Sequence, residues 1–317
     1  MRIRFWGSRG SLPCSTTAES LRKKIKNVIQ KADGIDLNSE AKIEEFLDNE
    51  LQFSEWGSYG CNTSCVEIVD TEQKIICDCG TGLRDLGNDF MKAAEPKTNV
   101  FNIFISHLHY DHLQGFPFFV PAYIAGNQIK IFGCHPKLEE AFKKQMQYPF
   151  FPVRFDELES NIEFTLLEPG KEYKISGYKI KAIKQNHPGD SYGYEFVKGG
   201  KKFVYSTDAE HNDEAENPDY EFINFFRNAD LLVFDAQYDF SNAQLFKLNW
   251  GHSSNLIGVE LAVRANVKRL VLFHSEHTFN DEEIENFLEQ TRRYKEIHEP
   301  ESKLEIFTAY DGLELQL

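Results

Sequence analysis

F-I-S-H-L-H-Y-D-H-L-Q-G-F-P-F-F, residues 104–119, sets three histidines and one aspartate within six residues, directly after an apolar run. His107, His109 and Asp111 alternate, so extended backbone would put them on one side. His112 then opens a helix-like stretch, and a strand-to-helix corner can aim all four side chains at one point. Imidazole nitrogen and carboxylate oxygen suit a borderline cation such as Zn²⁺, Mn²⁺ or Fe²⁺. Buried without a cation, each of these groups would need its own polar partner.

The rest of the chain limits what such a cluster can serve. With 317 residues, 41% of them hydrophobic, the chain has ample material for a core. No apolar run reaches the roughly 18–20 residues that span a bilayer. The start, M-R-I-R-F-W-G-S-R-G, lacks a signal-peptide core, so a cytoplasmic protein is expected, with no membrane partner. The six cysteines include Cys77 and Cys79 in K-I-I-C-D-C-G and do not form paired C-x-x-C units; reduced, buried thiols are expected. A formal charge of −15 argues against a long polyanion, because phosphate contacts need Lys and Arg. A small anionic substrate is therefore expected, and a large nucleic acid is not.

Short strand patterns recur at 2–6, 64–69, 74–78, 101–105, 128–132, 178–184, 192–197, 202–206, 231–234, 270–273 and 304–308. Helical patterns lie between them at 82–94, 136–147, 253–265 and 280–294, the last with Asn280 as its N-cap. Strands and helices are mixed throughout, so one α/β (α+β) domain over 1–317 is expected. Residues 18–50 stand apart as an insert of two amphipathic helices, with Leu21, Ile25, Val28 and Ile29 on one stripe. That stripe is expected to pack on the body; a lid or a dimer contact is the alternative.

H-x-H-x-D-H after an apolar strand resembles the signature of the metallo-β-lactamase-fold hydrolases. The resemblance continues in order along the chain. I-C-D-C-G-T-G carries Asp78 in a D-x-G-x-G-like motif, and Q-N-H-P-G, S-T-D and L-F-H-S supply His187, Asp208 and His274. It implies a four-layer αβ/βα sandwich with two divalent ions at one edge, Zn²⁺ favoured and Mn²⁺ or Fe²⁺ as alternatives. His107, His109 and His187 would hold one ion, Asp111, His112 and His274 the other, and Asp208 would bridge. Asp78 would orient these ligands. H-S-E-H also contains His277, and His274 is preferred because it directly ends the strand. Relatives of this kind often form homodimers.

The all-nitrogen-and-oxygen set is similar to that of phosphodiesterases, ribonuclease Z relatives, some lactonases and thiolesterases. N-A-D-L-L-V-F-D-A-Q-Y followed by N-W-G-H-S-S resembles the ribonuclease Z and phosphodiesterase branch, with Asp235 orienting His252. A histidine so held can stabilise or protonate a phosphate oxygen. Asp111 and Asp208 would help hold the hydroxide that two ions generate at neutral pH. The Gly-rich F-W-G-S-R-G-S-L-P offers backbone N–H groups, with Arg9, to an anion. The extended Gly/Pro-rich arm of ribonuclease Z is not evident. The expected activity is hydrolysis of a small phosphodiester such as a cyclic nucleotide. A lactonase or thioesterase is the enzymatic alternative, and a metal-bearing binding or scaffold protein the non-enzymatic one.

Overall fold

The computed structural model describes residues 1–69, 73–92, 99–238 and 250–317. Among these, two seven-stranded mixed sheets face each other. With strands numbered in chain order, the first sheet holds β1 (Arg2–Gly7), β2 (Cys65–Ile68), β3 (Lys74–Cys77), β4 (Val100–Ile105), β5 (Gln128–Gly133), β6 (Asn161–Leu166) and β14 (Glu314–Gln316). The second holds β7 (Glu172–Ile175), β8 (Tyr178–Gln185), β9 (Ser191–Lys198), β10 (Lys201–Ser206), β11 (Leu231–Asp235), β12 (Arg269–Phe273) and β13 (Glu305–Thr308). The orders are β14-β1-β2-β3-β4-β5-β6 and β13-β12-β11-β10-β9-β8-β7. β3 to β6 run parallel, as do β10 to β13, so each sheet presents a row of strand carboxyl ends. These central strands are buried on both faces, which is why they read as solid apolar runs. The expected strands are all present; β6, β7 and β14 were not anticipated. All three lie at sheet edges and bury little, so their alternation is weak.

The insert does form two helices, α1 (Ala18–Lys31) and α2 (Glu40–Asn49), followed by the single turn α3 (Phe53–Trp56). The expected apolar stripe does not face the body, however. Leu21, Ile25 and Ile29 are 52%, 52% and 66% exposed. α1 is instead held by polar contacts: the Lys24 ammonium meets the Asp281 carboxylate and the Gly57 carbonyl, and Lys31 pairs with Glu55. A lysine that reaches a buried carboxylate across its own apolar stem outweighed the hydrophobic pattern here.

Three apolar layers separate the elements. Between the sheets, Phe5, Val66 and Phe104 meet Tyr194, Phe196, Phe203 and Phe273. Outside the first sheet, α4 (Gly82–Met91) and α5 (Leu138–Gln145) cover Ile76, Phe101 and Ile103. Outside the second, α6 (Glu221–Phe226), α7 (Asn255–Arg264) and α8 (Asp281–His298) cover Leu232, Phe234 and Leu272. The result is the expected four-layer αβ/βα sandwich. Residues 93 and 94, the end of one expected helix, lie outside the described residues. α8 begins at the expected cap: Asn280 accepts from the Glu283 N–H at 3.0 Å, and Glu283 accepts from the Asn280 N–H at 2.7 Å. No helix among the described residues is long and apolar enough to cross a membrane.

Phe104 joins the layers, with ring centroids 4.9 Å from Phe132, 5.7 Å from Tyr194 and 5.2 Å from Phe196. Phe104→Ala is expected to cost about 3–5 kcal/mol of unfolding free energy, read as a lower urea midpoint at unchanged slope.

Candidate metal centre

Several strand ends build the site from the backbone outward. After β4 the chain runs through Ser106 and His107 into the short helical turn Tyr110–His112. Asp78, Asp208 and His274 follow β3, β10 and β12, and their φ angles are 62°, 50° and 63°. Non-glycine residues reach this left-handed region only at a cost, of order 1–3 kcal/mol each. Here the turn reverses the side chain, so that groups at the ends of two different sheets point into one space.

Three groups of ligand-type atoms result among the described residues, the atoms of each lying within 4.8 Å of one another; the third, Asp208, His252 and His274, shares members with the other two. His107, His109, His187 and Asp208 form the first, with His109 Nδ1 and His187 Nε2 3.0 Å apart. Asp111, His112 and His274 form the second, with Asp111 Oδ2 3.3 Å from His112 Nε2 and 3.1 Å from His274 Nε2. Asp208 faces both. Its Oδ2 is 3.5 Å from His107 Nε2 and 3.8 Å from His187 Nε2, while its Oδ1 is 3.2 Å from His112 Nε2 and 3.5 Å from His274 Nε2. His277 joins none of the three; its ring lies 2.7 Å from Glu276.

These residues fit divalent cations. His107 Nε2 is buried and finds no hydrogen-bond partner among the described residues, although the ring's other nitrogen sits 3.0 Å from the Ser106 hydroxyl. Burial first, and then the neighbouring imidazoles, hold His107 and His109 below the usual histidine range, which is the neutral form that ligates. Burial would raise the Asp111 carboxyl, but His112 and His274 hold it well below the carboxylate range. Nitrogen and oxygen donors of this kind accept Zn²⁺, Mn²⁺ or Fe²⁺.

A second ring of contacts orients the first. Asp78, fully buried, receives the Ser106 N–H and hydroxyl at 2.7 Å each, the Tyr205 hydroxyl at 2.8 Å, and His112 Nδ1 at 2.7 Å. A proton on that Nδ1 leaves His112 Nε2 free to face the cluster. His187 Nδ1 donates to the Gly251 carbonyl at 2.7 Å. Gly251 has φ +86°, and a Cβ there would lie 2.4 Å from His187 Nδ1. Tyr205 and Gly251 were not anticipated. The only local signal was a glycine beside His252.

The opening Gly-rich loop also lies at the site, in a different role from the one expected. Its Ser11 N–H donates to Asp111 Oδ2 at 2.9 Å, so the anion it receives is a carboxylate of the chain itself. Arg9 is buried and spends its guanidinium on the carbonyls of Gly60, Glu276 and Phe279. Cys65, Cys77 and Cys79 are buried free thiols outside the clusters, and burial pushes them well above the usual thiol range.

His252 stands beside both groups, its ring 5.0 Å from that of His187 and stacked 5.1 Å from that of His274. Its Nδ1 lies 2.9 Å from Asp235 Oδ2, which also receives the Ala209 N–H at 3.0 Å. Burial alone would push His252 down, but the Asp235 carboxylate outweighs it and raises the imidazole to about 9. Asn249, which opens the N-W-G-H-S-S motif, lies outside the described residues.

Asp78→Asn keeps the size of the side chain and removes the charge that faces His112. It is expected to weaken metal binding about 10–100-fold, measured by competition with a chromophoric chelator.

Comparison with known proteins agrees with this geometry. The family described as "Beta-lactamase superfamily domain" matches residues 73–275. Ribonuclease Z of Picrophilus torridus is 28% identical over 254 residues, 64% of this chain and 77% of that protein. Ribonuclease Z of Thermoplasma acidophilum is 27% identical over 273 residues, 72% and 85% of the two chains. Among solved structures, the metallo-β-lactamase fold protein YhfI from Bacillus subtilis superposes with a TM-score of 0.64 at 17% identity, covering 99% of this chain and 98% of that one. The short form of human tRNase Z gives 0.60 at 18% identity, covering 100% and 99%. One expectation falls to these findings. The net charge had set large nucleic acids aside as partners, yet the curated relatives are named for a ribonuclease. A charge summed over the whole surface does not describe the surface around one site, and contacts at a site act locally. The fold and the family match together place this chain in the β-lactamase superfamily, as a metal-dependent hydrolase.

Proposed function

We propose that the chain hydrolyses phosphodiesters with two divalent cations, Zn²⁺ foremost and Mn²⁺ or Fe²⁺ as alternatives. His107, His109 and His187 would hold one cation, Asp111, His112 and His274 the other, and Asp208 would touch both. When bound, such a pair supplies Lewis acidity and a nucleophile at neutral pH.

The chain's own residues do the rest. Asp111 and Asp208, both buried beside imidazoles, accept hydrogen bonds from the attacking water and orient it. His252 carries a proton near neutral pH because Asp235 lies against it, and it donates toward the phosphate oxygen that gains charge as the ester breaks. The backbone carbonyl of Gly251, the Asp78 carboxylate and the Ser11 N–H fix the groups around the substrate. The observation that carries the reading is the His252–Asp235 pair, set 4.0 Å from Asp208. A carboxylic ester leaves less charge on its oxygens for such a cation to meet, so a phosphodiester suits the pair better than a lactone or thioester. The names of the curated relatives support an RNA linkage as a member of that substrate class. A small phosphodiester such as a cyclic nucleotide is the other member.

Protein purified without chelator is expected to carry about two equivalents of transition metal, since two-ion hydrolases need both. It should turn over bis(p-nitrophenyl) phosphate and at least one of a 2′,3′-cyclic nucleotide, a 3′,5′-cyclic nucleotide or a single-stranded oligoribonucleotide. Turnover of a lactone or thioester with no phosphodiester activity would overturn the proposal. His252→Ala is expected to lower kcat on the order of 10²–10⁴-fold at unchanged metal content. Loss of metal in step with activity would instead make His252 a ligand.

A further inference from the structure

The opening loop and the Asp235–His252 pair belong to distant parts of the chain, and one side chain joins them. Gln237 lies two residues beyond β11 and is 2% exposed. Its backbone N–H donates to Asp235 Oδ1 at 3.3 Å, and its side-chain Nε2 donates to the Ser11 hydroxyl at 3.3 Å. The N–H of the same Ser11 holds Asp111 Oδ2 at 2.9 Å. A line of contacts thus runs from Asp235, the partner of His252, through Gln237 and Ser11 to Asp111, the partner of His274.

We propose that Gln237 is a positioning residue, clasping the opening loop onto the metal centre through Ser11. The clasp rests on the two-metal reading above for its catalytic consequence, but not for its geometry.

Two features of the loop explain why it needs a clasp. Ser11 has φ +62°, a conformation that a serine in a free loop would leave. Its neighbour Gly10 runs so close to the cluster that a Cβ there would lie 2.6 Å from His274 Nδ1. Small displacements of the loop therefore reach both Asp111 and His274.

Stability does not explain the glutamine. Its Oε1 is buried and has no hydrogen-bond partner among the described residues. A half-satisfied buried amide works against folding, and an apolar side chain of similar length would pack there without that cost. Exchanging the amide nitrogen and oxygen would make the Ser11 hydroxyl the donor, so the clasp holds for either assignment.

The test uses the full chain with Gln237→Leu, Gln237→Met, Ser11→Ala and the double variant Gln237→Leu/Ser11→Ala. Three quantities are read: the melting temperature of the full chain in excess chelator, so that metal affinity does not enter it, the release of bound metal to a competing chelator, and kcat and KM for bis(p-nitrophenyl) phosphate. Each single variant is expected to keep or raise the melting temperature. Each should give up metal to about tenfold less chelator, as for other residues that orient ligands, and lose kcat about tenfold with KM nearly unchanged. The double variant should be no worse than either single one, because both break the same link. Losses that multiply in the double variant would overturn the clasp, as would melting temperatures that fall in step with activity. Wild-type metal retention in all the variants would overturn it as well. If the unaltered protein fails to turn over any phosphodiester, the proposed function falls. The metal-release and double-variant comparison still decides the clasp.

Discussion

Asp208 turns one carboxylate oxygen toward His107 and His187 and the other toward His112 and His274. Those imidazoles come from both sheets: His107 and His112 follow β4 in the first, while His187 and His274 follow β8 and β12 in the second. One short side chain can serve both only if the two sheets keep a fixed separation and a fixed slide. The aromatic layer between them does this. Phe104 against Phe196 and Phe5 against Phe273 are contacts across that gap, and close-packed interiors yield little to displacement. The polar centre thus depends on an apolar layer with which it shares no chemistry.

The same arrangement explains the strain. Asp78, Asp208 and His274 adopt positive φ at the ends of parallel strands, where a relaxed backbone would carry each side chain away from the cleft. Hydrogen bonds then over-determine the strained positions. Asp78 receives four donors, and the Thr207 hydroxyl donates to Asp208 Oδ1 at 2.6 Å. Such sites persist where the surroundings leave no alternative. The loops that complete the site are held in the same manner: Ser253 accepts from the His211 N–H at 3.0 Å and donates to the Ala209 carbonyl, joining the strand end after Asp208 to the segment that carries His252.

Charge is distributed with similar economy. The chain is strongly acidic as a whole, and its insert shows how misleading an average can be. α1 turns lysines inward to buried or half-buried acids and leaves its aliphatic stripe in solvent. An amphipathic pattern states that two faces differ. It does not state which of them meets the body, and a buried carboxylate such as Asp281 reverses the usual answer.

The amino-acid order by itself determined the strand runs of both sheet centres, the Asn280 cap, and the ligand-type residues from His107 to His274, because each depends on a short local pattern. Solid apolar runs, capping chemistry and closely spaced histidines keep their meaning in any fold. It also carried Asp235 and His252, whose separation is short and whose chemistry is paired. Only the tertiary structure decided that Asp208 faces two groups at once, that His277 stands aside, that Arg9 serves carbonyls and the Asp281 carboxylate of the chain itself, and that Ser11, Gly251 and Gln237 belong to the site. These are contacts between residues 21 to 270 positions apart, or questions of which way a side chain turns. Three of the four edge strands, β6, β7 and β14, stayed hidden for a related reason: they bury too little surface to leave a pattern. What a residue touches across the fold is set by the packing of the sheets, and no local pattern records it.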